Sequence, residues 1–172
     1  MSDTLITVIA IALAAILMFV FPLMTMSDRT DDVAQLTVET ATTEFVDEIR
    51  TTGKITPDKY SKFIESIGST GNTYNVEIEH KVLDENPGKK ATQTESSKIG
   101  ENVYYSVYTS QIEETLNSGT YTLKEGDIIS VSVKNTNQTL AQQLKNFFYT
   151  VTGNDTYTIA ASHGGIVTAT GK

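Results

Sequence analysis

The side chains that could carry out chemistry are few and scattered along the chain. The sequence has 172 residues, two histidines and no cysteine, which excludes disulfides, thiolate metal sites and cysteine nucleophiles. His80 falls on the apolar face of a predicted strand, where a packed, neutral histidine is a more common role than a metal ligand. His163 lies in a glycine-rich stretch and is interpreted as a turn residue. Ser162 precedes it, but no acid at a suitable spacing completes a catalytic triad.

Three acids, Asp28, Asp31 and Asp32, stand close together and could in principle attract Ca²⁺. The glycine-bearing loop pattern of an EF-hand is missing, so a solvated acidic helix face is the expected role. Short matches to the N-glycosylation pattern begin at Asn137 and Asn154, but three-residue matches are common by chance. We therefore expect no catalytic residues, no metal, no cofactor and no small-molecule substrate, and we do not expect an enzyme.

Charge and apolar residues are unevenly distributed. The chain has 13 basic and 21 acidic residues, of which residues 1–27 contain a single acid and no base. Residues 28–172 therefore form a polar, acidic body of one domain's size. Because an acidic body without a basic cluster repels phosphates, nucleic-acid binding is not expected.

Residues 1–27 are interpreted as a transmembrane or assembly helix segment. The uncharged stretch 5–26 is 22 residues long, about 33 Å as a helix, which is enough to cross a bilayer's hydrocarbon core. No base precedes it, it is longer than a signal peptide's apolar region, and no clear cleavage site follows, so a retained anchor is favoured over a cleaved signal. A buried core helix is the remaining alternative, but so polar a body could not cover it. The candidate residues of this segment are Asp3, Leu5, Ile9, Leu13, Ile16, Val20, Pro22 and Leu23.

Two residues of this segment have specific expectations, and a third bears on its orientation. Asp3 places a carboxylate where the dipole of the helix favours it. Pro22 lacks an N–H, so the helix should kink or loosen there. Arg29 alone weakly favours a cytoplasmic body. The Thr-, Ser-, Asn- and Tyr-rich composition is instead typical of an exported surface, and we expect the body to lie outside the cytoplasm.

The helix is predicted to continue beyond the apolar segment and to span residues 4–52. Residues 28–52 contain no Gly or Pro, and Gly53 should end the helix. Apolar residues recur there on one helical face, at spacings of four, three, four and four. We expect this face to pack against a sheet: Ala34, Val38, Ala41, Phe45 and Ile49.

The remaining chain predicts short helices and strands. Helices are expected after Thr56, over 110–117 and after Thr139, and residues 84–101 are expected to form an exposed loop. The second helix should bury Tyr60, Phe63, Ile64 and Ile67, and the last one Leu140, Leu144, Phe147 and Phe148. Strands are expected over 74–82, 103–108, 120–123, 127–133, 157–161 and 166–170. The predicted class is α+β, a long N-terminal helix with a membrane-type first half and an amphipathic second half, packed on a small antiparallel sheet.

This order of parts resembles type IV pilins, pseudopilins and the pilin-like proteins of tight-adherence (Tad) pilus systems. Asp3 and Pro22 match the acid near the helix start and the helix-breaking proline of those families. Residues 123–148 and the ending IAASHGGIV also look like small single-pass proteins encoded near Gram-positive Tad-like clusters. The resemblance implies a bacterial cell-surface subunit that self-associates, or joins other pilus subunits, through its N-terminal helix. It also implies that Asp3 pairs with the Met1 amino group of a neighbour and that Pro22 lets the helix bend.

Pilins are made with a short basic leader ending in glycine, and their acid lies about two residues deeper than Asp3. Since this chain opens with Met-Ser-Asp, the expectation is an unprocessed minor component of a Tad-like system or secretion filament. The alternative is a monomeric membrane-anchored domain that binds a partner outside the cytoplasm. The expected location is therefore the cell membrane, with a single pass, or an extracellular filament.

Overall fold

The computed structural model describes residues 2–84, 104–149 and 158–172, and it has an α+β fold. One long helix is followed by small antiparallel sheets and shorter helices, which agrees in general terms with the predicted class. The helices are α1 (Ser2–Thr52), α2 (Pro57–Gly68), α3 (Thr109–Ser118) and α4 (Leu140–Tyr149). The strands are β1 (Lys54–Ile55), β2 (Tyr74–Leu83), β3 (Tyr104–Tyr108), β4 (Tyr121–Thr122), β5 (Ile128–Asn135) and β6 (Ala160–Ile166).

The long helix ends where the sequence predicts, at Gly53. This glycine has a φ of 66°, a left-handed conformation that costs a residue with a Cβ about 1–2 kcal/mol. A Cβ there would also collide with the backbone oxygen of Ala169. The C-terminal tail passes this close because Thr168 N donates to Arg50 O at 2.8 Å, and Gly171 N donates to Leu123 O at 2.9 Å. The C-terminal end of α1 is therefore packed against residues 168–171.

The main sheet has four antiparallel strands in the order β3-β2-β5-β6, and β1 pairs separately with β4. Its register places Ile78 beside Val131 and Val131 beside His163. Alternate residues of β5, Ile129, Val131 and Val133, are fully buried. This inner face packs against the second half of α1, which also contacts α2 and α4.

The helical side of the core is built from α1 and α2. Phe45 of α1 stacks on Phe63 of α2, with ring centroids 4.4 Å apart and an interplanar angle of 3°. Thr56 caps α2 by accepting a hydrogen bond from Lys59 N at 3.3 Å. Ile64, predicted to be buried, is 38% exposed. The prediction is wrong for Ile64 because the buried face of α2 is formed by Phe63 and Ile67, with Tyr60 partly buried beside Phe45.

The C-terminal prediction of two strands around a turn at His163 is also wrong. Residues 160–166 form one strand, β6, which pairs with β5 along its length. Gly164 and Gly165 act here as spacers: a Cβ on Gly164 would lie 2.9 Å from Ile129 O, and one on Gly165 would lie 2.6 Å from Arg50 Nε. A glycine pair marks a turn in most sequences, but in β6 it lets a neighbouring strand and an arginine approach the backbone.

Candidate membrane and assembly helix

The first half of α1 projects from the rest of the structure with its apolar side chains exposed on every side. Among the predicted segment residues, Leu5 is 63% exposed, Ile9 50%, Leu13 53%, Ile16 55% and Leu23 43%. Val20 is partly shielded, and Asp3 and Pro22 are exposed. Within the described chain this helix is long and apolar enough to cross a membrane.

The exposed apolar surface is larger than soluble monomeric proteins usually leave in water. Thirteen large apolar side chains between positions 5 and 26 are 43–75% exposed. Burying one such side chain completely stabilises it by about 1.5–3 kcal/mol, so covering this set gains on the order of 10–25 kcal/mol. That equals or exceeds the 5–15 kcal/mol by which a typical domain is folded. A surface of this size is typical of segments that contact lipid or other protein.

The polar atoms of the segment are compatible with such an environment. The hydroxyls of Thr7 and Thr25 donate to the carbonyls of Asp3 and Phe21 within the same helix, at 2.7 and 3.1 Å. These internal bonds lower the cost of moving the hydroxyls out of water. The helix is continuous across Pro22, so the proline removes one helical hydrogen bond without ending the helix. Asp3 lies in the first turn, where the helix dipole favours an acid.

The second half of α1 is buried on one face, which includes all five residues predicted to pack against the sheet. Ala34 is 2% exposed, Val38 0%, Ala41 8%, Phe45 4% and Ile49 2%. The first buried residue of the helix is Ser27, at 6%. The surroundings of α1 therefore change at residue 27: before it no residue that the structure describes is buried, and after it one face of the helix is buried.

The acids at this change of environment do not form the predicted solvated face. Asp31 is 6% exposed and accepts a hydrogen bond from Thr139 Oγ1 at 2.6 Å. Asp28 Oδ1 lies 2.6 Å from Lys145 Nζ. Asp32 alone of the three is exposed. The prediction failed for Asp31 because it lies on the same helical face as Ala34 and Val38, where α4 covers it.

The hydrogen bond to Asp31 comes from Thr139, the residue just before α4, which also forms a capping box with Gln142. Thr139 Oγ1 accepts from Gln142 N at 3.2 Å, and Gln142 Oε1 accepts from Thr139 N at 3.1 Å. The predicted cap at Thr139 is confirmed. Leu140, predicted to face inward, is 53% exposed; the side chains of Phe147 and Phe148 lie outside the described residues. The T-x-x-Q pattern sets the start of the helix, but it does not determine which face is buried.

A second polar cluster lies inside the body, around His80. The imidazole is 2% exposed, with Nδ1 2.7 Å from the Tyr121 hydroxyl and Nε2 2.9 Å from Asp127 Oδ2. Asp127 also accepts from the backbone N–H groups of Leu83 and Lys124, at 3.0 and 2.8 Å. Burial, then the negative charge of Asp127, raises the pKa of Tyr121 to about 12, so the hydroxyl keeps its proton to a higher pH than an exposed tyrosine does.

The His80 cluster contains the histidine–carboxylate pair of a catalytic dyad, but the side chains of that pair are not accessible to solvent. His80 and Asp127 are both 2% exposed, so neither side chain is open to solvent. The packing of His80 agrees with the sequence interpretation. The sequence does not predict Asp127 as the partner of His80. It is in phase with the buried positions Ile129 and Val131, but a partner 47 positions away gives no local signal. We assign the cluster to holding the turn at residues 123–127 on β2.

The other polar motifs are engaged in structural contacts. His163 lies in β6, with Nε2 3.4 Å from Asp47 Oδ1, and the same oxygen pairs with Arg50 at 2.8 Å. The Asn137 side chain makes turn contacts: Oδ1 accepts from Thr73 N and Nδ2 donates to Asn72 Oδ1, both at 2.9 Å. Asn154 lies outside the described residues. No group of three potential metal ligands occurs in the described parts of the chain.

Comparison with known proteins returned no similarity: no family model, no curated protein and no solved structure matches this chain.

Proposed function

We propose that this protein is a pilin-like structural subunit, or a minor component, of a type IV or Tad-like pilus or secretion filament. Its support is a single observation on one uninterrupted helix. The helix exposes apolar residues on all sides for about 25 residues and then packs into the core of the folded body, residues 28–172, which we call the head. A chain built this way can be stored in a membrane and later packed against copies of itself.

The exposed apolar surface extends past the segment on the side that faces away from the head. Val33 is 60% exposed and Leu36 is 65% exposed, and both lie opposite the buried positions Ala34 and Val38 on the helix. In a monomeric anchor these two residues would lie at or beyond the headgroups, where the acyl chains do not cover them. In a bundle of subunits, they would continue the helix–helix contact that begins in the apolar segment.

Assembly would move Asp3 from the membrane edge to a helix bundle. A carboxylate in such surroundings is costly unless a positive group accompanies it, and the amino group at the start of a neighbouring chain is the candidate. Pro22 would allow the helix to bend during this transfer. The head would stay outside the cytoplasm, on the surface of the filament.

The proposal is tested by expressing the full chain in a bacterial host that carries the matching assembly system. Sheared surface material is examined by electron microscopy, and membranes are extracted with alkaline carbonate. The wild-type chain should resist carbonate and appear in filaments. Asp3→Ala should resist carbonate equally but yield few or no filaments, whereas the exposed control Asp32→Ala should behave as wild type. Normal filaments from Asp3→Ala would refute the role of Asp3.

The competing function is a monomeric membrane-anchored binding domain. It predicts resistance to carbonate with no filaments from any variant, the wild type included. That result, in a host shown to assemble its other pilins, would replace the filament proposal by the anchor.

A further inference from the structure

The helix α4 presents its leucines away from the head to which it belongs. Leu140 is 53% exposed and Leu144 is only partly buried, whereas Ala141 is 2% exposed and Gln142 is 6% exposed. At 100° per residue, Leu140 and Leu144 lie about 40° apart, and Ala141 lies about 100° from Leu140. A surface helix usually buries its leucines. In α4 a small residue and a polar residue are buried instead, and a leucine is exposed.

This helix is attached at the level where the apolar segment ends. Thr139, before its first turn, bonds to Asp31 at 2.6 Å, and Lys145, six residues on, pairs with Asp28 at 2.6 Å. The second contact is closer to the apolar segment than the first. Asp28 is two residues beyond Met26, about 3 Å along the axis of α1. The C-terminal half of α4 is thus directed toward the end of the segment.

The charges around α4 suit a lipid surface. Anionic membranes repel acids, but of the three acids at this level of α1, Asp28 is paired with a lysine and Asp31 is buried against Thr139, which leaves Asp32 as the exposed one. The helix itself contains no acid, and Lys145 is its single charged residue. Its sequence ends in Phe147-Phe148-Tyr149, and aromatic residues are enriched at the interface between lipid and water.

We propose that α4 is an interfacial helix that lies on the membrane surface, with Leu140 and Leu144 at the boundary between headgroups and acyl chains. It fixes the orientation of the head on the bilayer before assembly, in addition to the anchoring by α1. This inference rests on the membrane insertion of α1 in the proposed function. Its ligand is the bilayer, recognised by an apolar strip at the base of the head.

The test uses the full chain reconstituted in phosphatidylcholine vesicles. Because the sequence has no cysteine, Leu140→Cys can carry a single environment-sensitive fluorophore, and lipids spin-labelled near the headgroup serve as quenchers. Leu13→Cys, in the middle of the apolar segment, reports on insertion with a deep acyl-chain quencher. Thr122→Cys, exposed in β4 beyond the far end of α1, is the matched control on the head.

We expect blue-shifted emission and lipid quenching at Leu140→Cys, quenching at Leu13→Cys by the deep quencher, and no quenching at Thr122→Cys. Quenching at Leu13→Cys without any at Leu140→Cys overturns the interfacial helix and leaves the anchor intact. Absence of quenching at both positions overturns the membrane insertion as well. Shielding of Leu140→Cys that follows protein concentration and not lipid identifies a second copy as the occupant and also overturns the inference.

A second variant repeats the measurement without an attached label, in case the fluorophore disturbs α4. The chain contains no tryptophan, so Leu140→Trp gives the same depth measurement through its own fluorescence. The expected result is a blue shift on adding vesicles and loss of emission with the shallow quencher. An unshifted spectrum in vesicles that retain the protein contradicts the proposal.

Discussion

Two phenylalanines on the same helix should respond in opposite ways to the same substitution. Phe45 is 4% exposed and stacks on Phe63 at 4.4 Å, whereas Phe19 is 74% exposed in the apolar segment. Phe45→Ala removes a core side chain from the head, and Phe19→Ala removes a side chain that touches nothing in the isolated head. The pair separates the two functions assigned to α1.

Removing a buried phenylalanine costs about 3–5 kcal/mol, through lost burial and the cavity left behind. That is a large part of the 5–15 kcal/mol expected for a domain, and at about 2–4 °C per kcal/mol it lowers the Tm by roughly 6–20 °C. Phe19→Ala should change the stability of the head by less than about 0.5 kcal/mol. It should instead weaken the transfer of the segment into lipid by about 1.5–3 kcal/mol.

Thermal and urea unfolding of the full chain in detergent micelles measures the first effect. All eight tyrosines follow residue 59 and no tryptophan is present, so the tyrosine band of the near-ultraviolet circular dichroism spectrum reports on the head alone. Partition of each variant between vesicles and buffer measures the second effect. Equal loss of stability in the two variants, or none in either, would refute the division of α1 into an exposed and a core-forming half.

Three further predictions concern the head. His80→Ala should destabilise it by about 2–4 kcal/mol in urea unfolding, because a cavity opens and the Asp127 carboxylate and Tyr121 hydroxyl lose a buried partner; a change below about 0.5 kcal/mol would contradict the assigned role. The pKa of Tyr121, raised from 10.0 to about 12, makes folding favour the protonated hydroxyl, so the stabilisation is complete below pH 10 and is lost as the pH rises toward 12. Tyr121→Phe should flatten that decline in the urea midpoint, and an unchanged slope would exclude this tyrosine as its source. Gly53→Ala should lower the Tm strongly, since its φ is 66° and its Cβ meets the tail, whereas Gly68→Ala, with open space around it, should leave the Tm unchanged or raise it.

Local patterns in the sequence predict most of the elements. The helix boundaries at Thr56 and Gly53 follow from capping and glycine chemistry, and the strand at Tyr74 follows from strict alternation. These signals depend on residues close together in the chain, so a single sequence is enough to interpret them.

The errors occur where distant parts of the chain decide the outcome. Gly164 and Gly165 form part of a strand because β5 and Arg50 pack against them. Asp31 is buried because Thr139, 108 positions away, supplies a hydrogen bond. Leu140 is exposed because α4 is held through Thr139 and Lys145, and this attachment turns its apolar side outward. None of these contacts produces a periodic pattern of residue types in the sequence.

In the proposed filament, the apolar half of α1 leaves lipid and packs against other subunits. A spin label at Leu13→Cys tests this transfer most directly, through the accessibility of the label to oxygen, first in membranes and then in filaments sheared from the cell surface. We expect high accessibility in the membrane and strong protection with reduced mobility in the filaments. A label with the same accessibility in both preparations, or surface material that lacks this protein, would contradict it.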